Sequence, residues 1–168
     1  MSRFLYLMRH AQSADRHPSQ SDKERELTPT GLNDAISIGA YLHRQKINFD
    51  LIVSSTAVRA KHTAELVVDA SKMMPDKIQL DEELFTASVR TFLAVVNQLD
   101  DALSHVMCVG HNPVISYLAE YLTKAEIGDM PPAGLSIIQL KVQHWKEITQ
   151  GSGELVNLLT PENLKDAQ

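Results

Sequence analysis

Short apolar runs alternate with helix-spaced stripes along most of this chain, and few folds other than a helix-flanked, mostly parallel sheet accept that alternation. Residues 3 to 8 read as a buried strand, 49 to 53 as a second, 77 to 80 as a short third and 105 to 109 as a fourth. Between them Leu32, Ala35, Ile36, Gly39 and Leu42 return at three- and four-residue steps. Ala60, Ala64, Val67 and Val68 do the same, as do Val89, Phe92, Leu93, Val96 and Leu99, and then Val114, Ile115, Leu118 and Leu122. Each set marks one face of an amphipathic helix. Thr28-Pro29 and Asn112-Pro113 each place a capping residue before a proline at the first helical position, and Ser88 is a third N-cap. The first helix should run to about Gln45, the second to about Lys72 and the fourth to about Thr123. Alternating segments around 136–142, 145–149 and 154–159 look like strands that finish one sheet.

Composition bounds the rest. With 168 residues, 43% of them hydrophobic, and only 7 Gly and 7 Pro, the chain can bury a proper core and is no repeat array. One domain over 1–160 is expected, followed by a polar tail, 161–168, that is frayed or loosely docked. Against 16 Lys and Arg stand 21 Asp and Glu, a balance that gives no reason to expect nucleic acid or an anionic membrane as partner. The one cysteine, Cys108, lies inside Val106-Met107-Cys108-Val109 and reads as a small buried hydrophobe, which suits a reducing compartment. The first apolar stretch, about five residues, is too short for a signal peptide or a membrane span, so a cytoplasmic protein is expected.

Cations gather where the strands end. The first strand closes on Arg9-His10, the second on Ser54-Ser55 with Arg59 near the start of the next helix, and the fourth on Gly110-His111. In a parallel sheet these three points lie on one edge, where such sheets bind ligands. Two guanidiniums and two imidazoles there would repel one another unless an anion sits among them. Guanidiniums match phosphate oxygens bidentately, and a helix opening at Asn112 would add free N–H groups and the positive end of its dipole. The pocket is therefore expected to hold a phosphoryl group. Two histidines could instead ligate a metal, but the arginines disfavour a dication and no carboxylate or thiolate accompanies them in these turns. Positive surroundings should lower the histidine pKa and keep an imidazole nitrogen free to attack phosphorus, with a phosphohistidine intermediate.

Four segments carry a resemblance: Leu7-Met8-Arg9-His10-Ala11, Arg25-Glu26-Leu27-Thr28-x-x-Gly31, Ser54-Ser55-x-x-x-Arg59-Ala60-x-x-Thr63, and Val109-Gly110-His111-Asn112-Pro113. In order and spacing they resemble the motifs of the histidine phosphatase (phosphoglycerate mutase-like) superfamily, and with the short length they resemble its SixA-type phosphohistidine phosphatase branch. The resemblance implies a three-layer α/β/α sandwich around a mostly parallel sheet. It also implies His10 as nucleophile and Arg9, Arg25, Arg59 and His111 as a phosphate clamp, without metal or other cofactor. Arg25 would then explain the long aperiodic stretch from Gln12 to Glu26, since internal loops of that length are often functional.

Two departures from the family pattern matter. Alanine replaces the glycine that usually follows the nucleophile, so the turn at Ala11 must suit an ordinary residue. Many phosphomonoesterases of the family also carry a glutamate after the third strand as general acid. Here Asp81-Glu82-Glu83 is followed by no carboxylate until Asp100. An alkoxide leaving group needs a proton donor, whereas the P–N bond of a phosphohistidine is weaker and can do without one. The expected activity is thus a phosphohistidine phosphatase acting on a phosphotransfer or signalling protein through phospho-His10. A phosphomonoesterase for a small metabolite, with Glu82 or Glu83 as acid, is the alternative. A non-catalytic module that binds a phosphoprotein is the other. The chain is expected to act as a monomer.

Overall fold

A computed structural model describes residues 2–166. Six strands form one sheet: β1 (Arg3–Arg9), β2 (Leu51–Ser55), β3 (Ile78–Asp81), β4 (His105–Gly110), β5 (Leu135–Leu140) and β6 (Gly153–Leu159). Their spatial order is β3-β2-β4-β1-β5-β6. The first four are mutually parallel, and β5 runs antiparallel to both β1 and β6. Five helices accompany them: α1 (Pro29–Arg44), α2 (Val58–Ala70), α3 (Val89–Asn97), α4 (Val114–Thr123) and α5 (Pro161–Asp166).

The period of two in β1 sorts its side chains between two cores. Tyr6 and Met8 join Ile38 and Leu42 of α1 and Ala60, Ala64 and Val67 of α2 on one face. Leu5 and Leu7 join Phe92 and Val96 of α3 and Ile115, Leu118 and Leu122 of α4 on the other. Both faces of the sheet are thus covered, which is the expected α/β/α sandwich. Cys108 is fully buried in the second core, where desolvation pushes its thiol up to about 12. Thr28 and Ser88 cap α1 and α3 by accepting from the amides of Gly31 and Thr91.

Three expectations are corrected. Residues 145–149 do not form a strand: Trp145–Glu147 is a 3-10 turn. The Asp101 carboxylate accepts the Trp145 amide there, and Glu147 accepts the amides of Gln143 and His144. Asn112 does not cap α4. Its peptide with Pro113 is cis, the helix begins at Val114, and its side chain instead accepts from Ser116 Oγ and donates to the Met130 carbonyl. Pro161–Asp166, expected within a loose tail, is the helix α5, because Leu164 packs into the first core. Residues 167 and 168 of that tail lie outside the described residues. Among the described residues no helix is long and apolar enough to cross a membrane.

Candidate active site

Because β2, β4 and β1 are adjacent and parallel, their carboxyl ends deliver Ser55, His111 and Arg9-His10 to one edge. Arg59, one residue into α2, enters the same space. His10 is 9% exposed and Arg59 6%. The ring centroids of His10 and His111 are 5.2 Å apart.

Hydrogen bonding assigns the His10 tautomer. Nδ1 lies 2.7 Å from the Ala11 carbonyl oxygen, which can only accept, so Nδ1 carries the hydrogen. Arg59 Nε donates to Nε2 over 3.4 Å, and an arginine cannot accept, so Nε2 holds its lone pair. Burial above all, and then the charges of His111, Arg59 and Arg9, pull the His10 pKa down to about 3, against the bond to the Ala11 carbonyl. The expected contribution of neighbouring charge is present, but desolvation is the larger cause. Burial followed by Arg59 and Arg9 also brings His111 to about 4, with Asp22 opposing. Both imidazoles are neutral at pH 7.

His10 is mounted in a closed ring of contacts. Thr63 Oγ1, fully buried, accepts the Ala11 amide at 3.0 Å and donates to the Arg59 carbonyl at 2.6 Å. The Arg59 side chain then returns to His10. Ala11 is absent from the non-glycine residues with positive φ, as the alanine substitution requires. Gly31 matters for a different reason: a Cβ there would meet the Gln12 carbonyl oxygen at 2.2 Å and push on the segment that follows Ala11. A second brace comes from the 130–134 turn. The Ala133 amide donates to the His10 carbonyl, the Arg9 amide to the Gly134 carbonyl, and Arg9 Nη1 to the Met130 carbonyl. Ala133 adopts φ 64° to do so.

His111 Nε2 lies 2.8 Å from Ser55 Oγ, which also accepts the Ala57 amide. Fewest groups go unpaired if the Ser55 hydroxyl donates to Nε2, and the hydrogen of His111 then sits on Nδ1. Among the described residues, His111 Nδ1 and Arg9 Nε are the buried side-chain polar atoms without a partner. Phe85 stands edge-on to His111 with centroids 5.8 Å apart. Two orphaned donors in a pocket with two neutral imidazoles and the Arg59 guanidinium make a seat for an oxyanion.

Arg25 does not reach His10. It donates to the Ala14 carbonyl, Ser13 Oγ and Asp22 Oδ1. Asp22, which sequence reasoning missed, faces both arginines, because Arg59 donates to its carbonyl oxygen at 2.7 Å and to Oδ2 at 3.0 Å. The only sequence cue was its position three residues before Arg25. Glu82 is not at the nucleophile either: both its oxygens take Lys23 Nζ at 2.7 Å, and Thr56 Oγ1 donates to it as well. These partners hold the exposed carboxyl below its ordinary range. Glu83 lines a cavity of about 380 Å³ with Asp50, Leu51, Gln98 and Leu103. No three His, Cys, Asp or Glu side chains among the described residues cluster as a cation site requires.

The family model of the histidine phosphatase superfamily (branch 1) matches residues 5–89. An uncharacterized protein of Mycobacterium tuberculosis H37Rv is 30% identical over 166 residues, which cover 92% of this chain and 99% of the relative. The phosphohistidine phosphatase SixA of Escherichia coli K12 is 26% identical over 129 residues, 76% of this chain and 77% of SixA. A solved structure of the protein histidine phosphatase SixA complexed with tungstate superimposes with a TM-score of 0.80 at 25% identity, covering 98% of this chain and 99% of that one.

Proposed function

This chain belongs to the histidine phosphatase superfamily, in its SixA-type branch, and from that premise we propose that it is a phosphohistidine phosphatase with His10 as nucleophile. The observation that carries the reading is the neutral His10, its ring 5.2 Å from that of His111, together with the unpartnered donors Arg9 Nε and His111 Nδ1. The fold neighbour that binds tungstate, a tetrahedral oxyanion, supports a phosphoryl ligand.

In the first step His10 Nε2 attacks phosphorus in line. A bond forms to Nε2 as the P–N bond of the substrate breaks. The leaving imidazole already carries a proton on its other nitrogen and departs neutral. In the second step water attacks phospho-His10, giving inorganic phosphate and restoring Nε2. Throughout, the Nδ1–H bond to the Ala11 carbonyl holds the ring, while Arg9, Arg59 and His111 meet the charge on the phosphoryl oxygens.

Glu82 speaks for the phosphoramidate over a phosphoester. A carboxylate kept ionised by Lys23 and Thr56 is a poor proton donor to an alkoxide. The substrate that suits this chemistry is a phosphotransfer protein phosphorylated on histidine. Purified protein should release phosphate from such a substrate in preference to sugar and nucleotide phosphates, and His10→Ala should abolish the release. Turnover that survives His10→Ala overturns the mechanism; exclusive turnover of esters overturns the substrate class.

A further inference from the structure

The Arg59 guanidinium, the deepest cation of the candidate clamp, is already engaged. Of Nη1 and Nη2, the pair of donors that bidentate recognition of a phosphoryl group calls for, Nη1 ends on the Asp22 backbone carbonyl and Nη2 on the Asp22 carboxylate. The second oxygen of the same carboxylate takes Arg25 Nη1 at 3.1 Å. One carboxylate thus bridges two guanidiniums as two oxygens of a phosphoryl group would. Asp22 is not buried in that place. Its side chain is 54% exposed whereas that of Arg59 is 7% exposed, so the carboxylate reaches in from the surface on a short 3-10 turn, Asp22–Glu24. The next residue, Lys23, ties this turn to Glu82, which Thr56 also holds.

We infer that Asp22 is an internal competitor for the phosphoryl seat, and that it thereby sets which anions the clamp admits. The inference rests on the phosphoryl-clamp reading above. To use both Nη donors of Arg59 an incoming anion must displace the Asp22 carboxylate from Nη2 and outbid the Asp22 backbone carbonyl for Nη1; the carboxylate is the charged competitor that a side-chain substitution removes. A tetrahedral dianion gains Arg9 Nε and His111 Nδ1 along with Arg59, more than the carboxylate had, and wins. A planar monoanion such as acetate offers Arg59 only what Asp22 already offers, and Asp22, tethered by Arg25 and Lys23, has the advantage of effective concentration. Cellular carboxylates are kept out without any steric barrier. Displacing Asp22 also swings a negative charge out of the site as the negative substrate enters.

The test is anion binding at pH 8, read from the ring 15N resonances of His10 and His111. Tungstate should shift both rings in the wild type, and acetate neither. Asp22→Asn and Asp22→Ala should each bind tungstate about tenfold tighter and acquire a measurable acetate response, since one charge-assisted competitor is gone. If tungstate leaves both rings unmoved in the wild type, the clamp reading itself fails. If it moves them but neither variant binds more tightly, the clamp stands and the competitor falls. A drop in kcat of the variants on a phosphohistidine protein, with tungstate affinity unchanged, also overturns the competitor and makes Asp22 a proton-transfer group.

Discussion

The candidate site has two halves built on opposite principles. The strand-end half, His10, Ala11, Ser55, Arg59 and Thr63, is buried and held by bonds to backbone groups whose positions the sheet fixes. The loop half, Asp22, Lys23 and Arg25, is held by ion pairs in which the loop side chains are exposed or half-exposed, and only the Asp22 pair reaches a buried partner, Arg59. Buried hydrogen bonds set the tautomer and orientation of His10 and are costly to break. Exposed ion pairs contribute little to stability and exchange readily. The first half thus suits a fixed geometry, the second a contact that can give way, as the proposed competition at Arg59 requires.

The sharpest way to expose that contrast is acid. His10 has its pKa held near 3 in the folded protein, against about 6.5 when unfolded. Its neutral burial is free of penalty above the unfolded value, and stability is lost as pH falls from about 6.5 toward 3. At about 1.36 kcal/mol per unit, His10 accounts for about 2 to 3 kcal/mol of lost stability by pH 4.5, and His111 shifts in the same direction. Urea unfolding at pH 7 and pH 4.5 measures this: His10→Gln should lose distinctly less stability than the wild type. Equal losses would place the imidazole in a polar setting and remove the ground for a neutral nucleophile.

Thr63→Val comes next in size. The substitution keeps the shape but deprives the Ala11 amide of its acceptor in a fully buried place, at a cost of about 1 to 3 kcal/mol. It also opens the ring that links His10 to Arg59, and a misplaced nucleophile should lower kcat by about 10- to 100-fold with little change in KM. Thr63→Ser should restore most of both. A Thr63→Val protein that is destabilised yet fully active would show that the threonine supports the fold and not the aim of His10.

What the sequence disclosed divides along the same line. The strand ends were legible because hydrophobic periodicity dictates where strands stop, and a parallel sheet then forces Arg9-His10, Ser54-Ser55 and Gly110-His111 to one edge. Thr63 was visible within a motif, but its bond to the Ala11 amide joins residues 52 positions apart and depends on how α2 lies against β1. Arg25 was expected to bind a phosphoryl group, and in this structure it holds Asp22. Nothing in an aperiodic loop says which of its charges turns inward, and the resemblance carried the position without its present contacts. The cap expected of Asn112 failed because the side chain spans to Ser116 and to the Met130 carbonyl, partners beyond the reach of local pattern.

The smallest expected effect belongs to the loop half and is informative for that reason. Glu82→Gln removes the charge that Lys23 pairs with, yet both side chains lie in solvent, 64% and 39% exposed, so the unfolding midpoint should stay in place. Turnover of a phosphohistidine protein should change by less than about threefold, because exposed pairs of this kind are weakly coupled to their surroundings. A general acid behaves otherwise: its amide variant loses about 100-fold or more in kcat, chiefly on substrates with poor leaving groups. A Glu82→Gln protein tested side by side on a phosphohistidine protein and on phosphate esters therefore separates a tether from an acid. Unchanged phosphohistidine turnover keeps Glu82 as the anchor of Lys23, whereas a collapse on esters accompanied by slow phosphohistidine turnover would move the chain to the phosphomonoesterases.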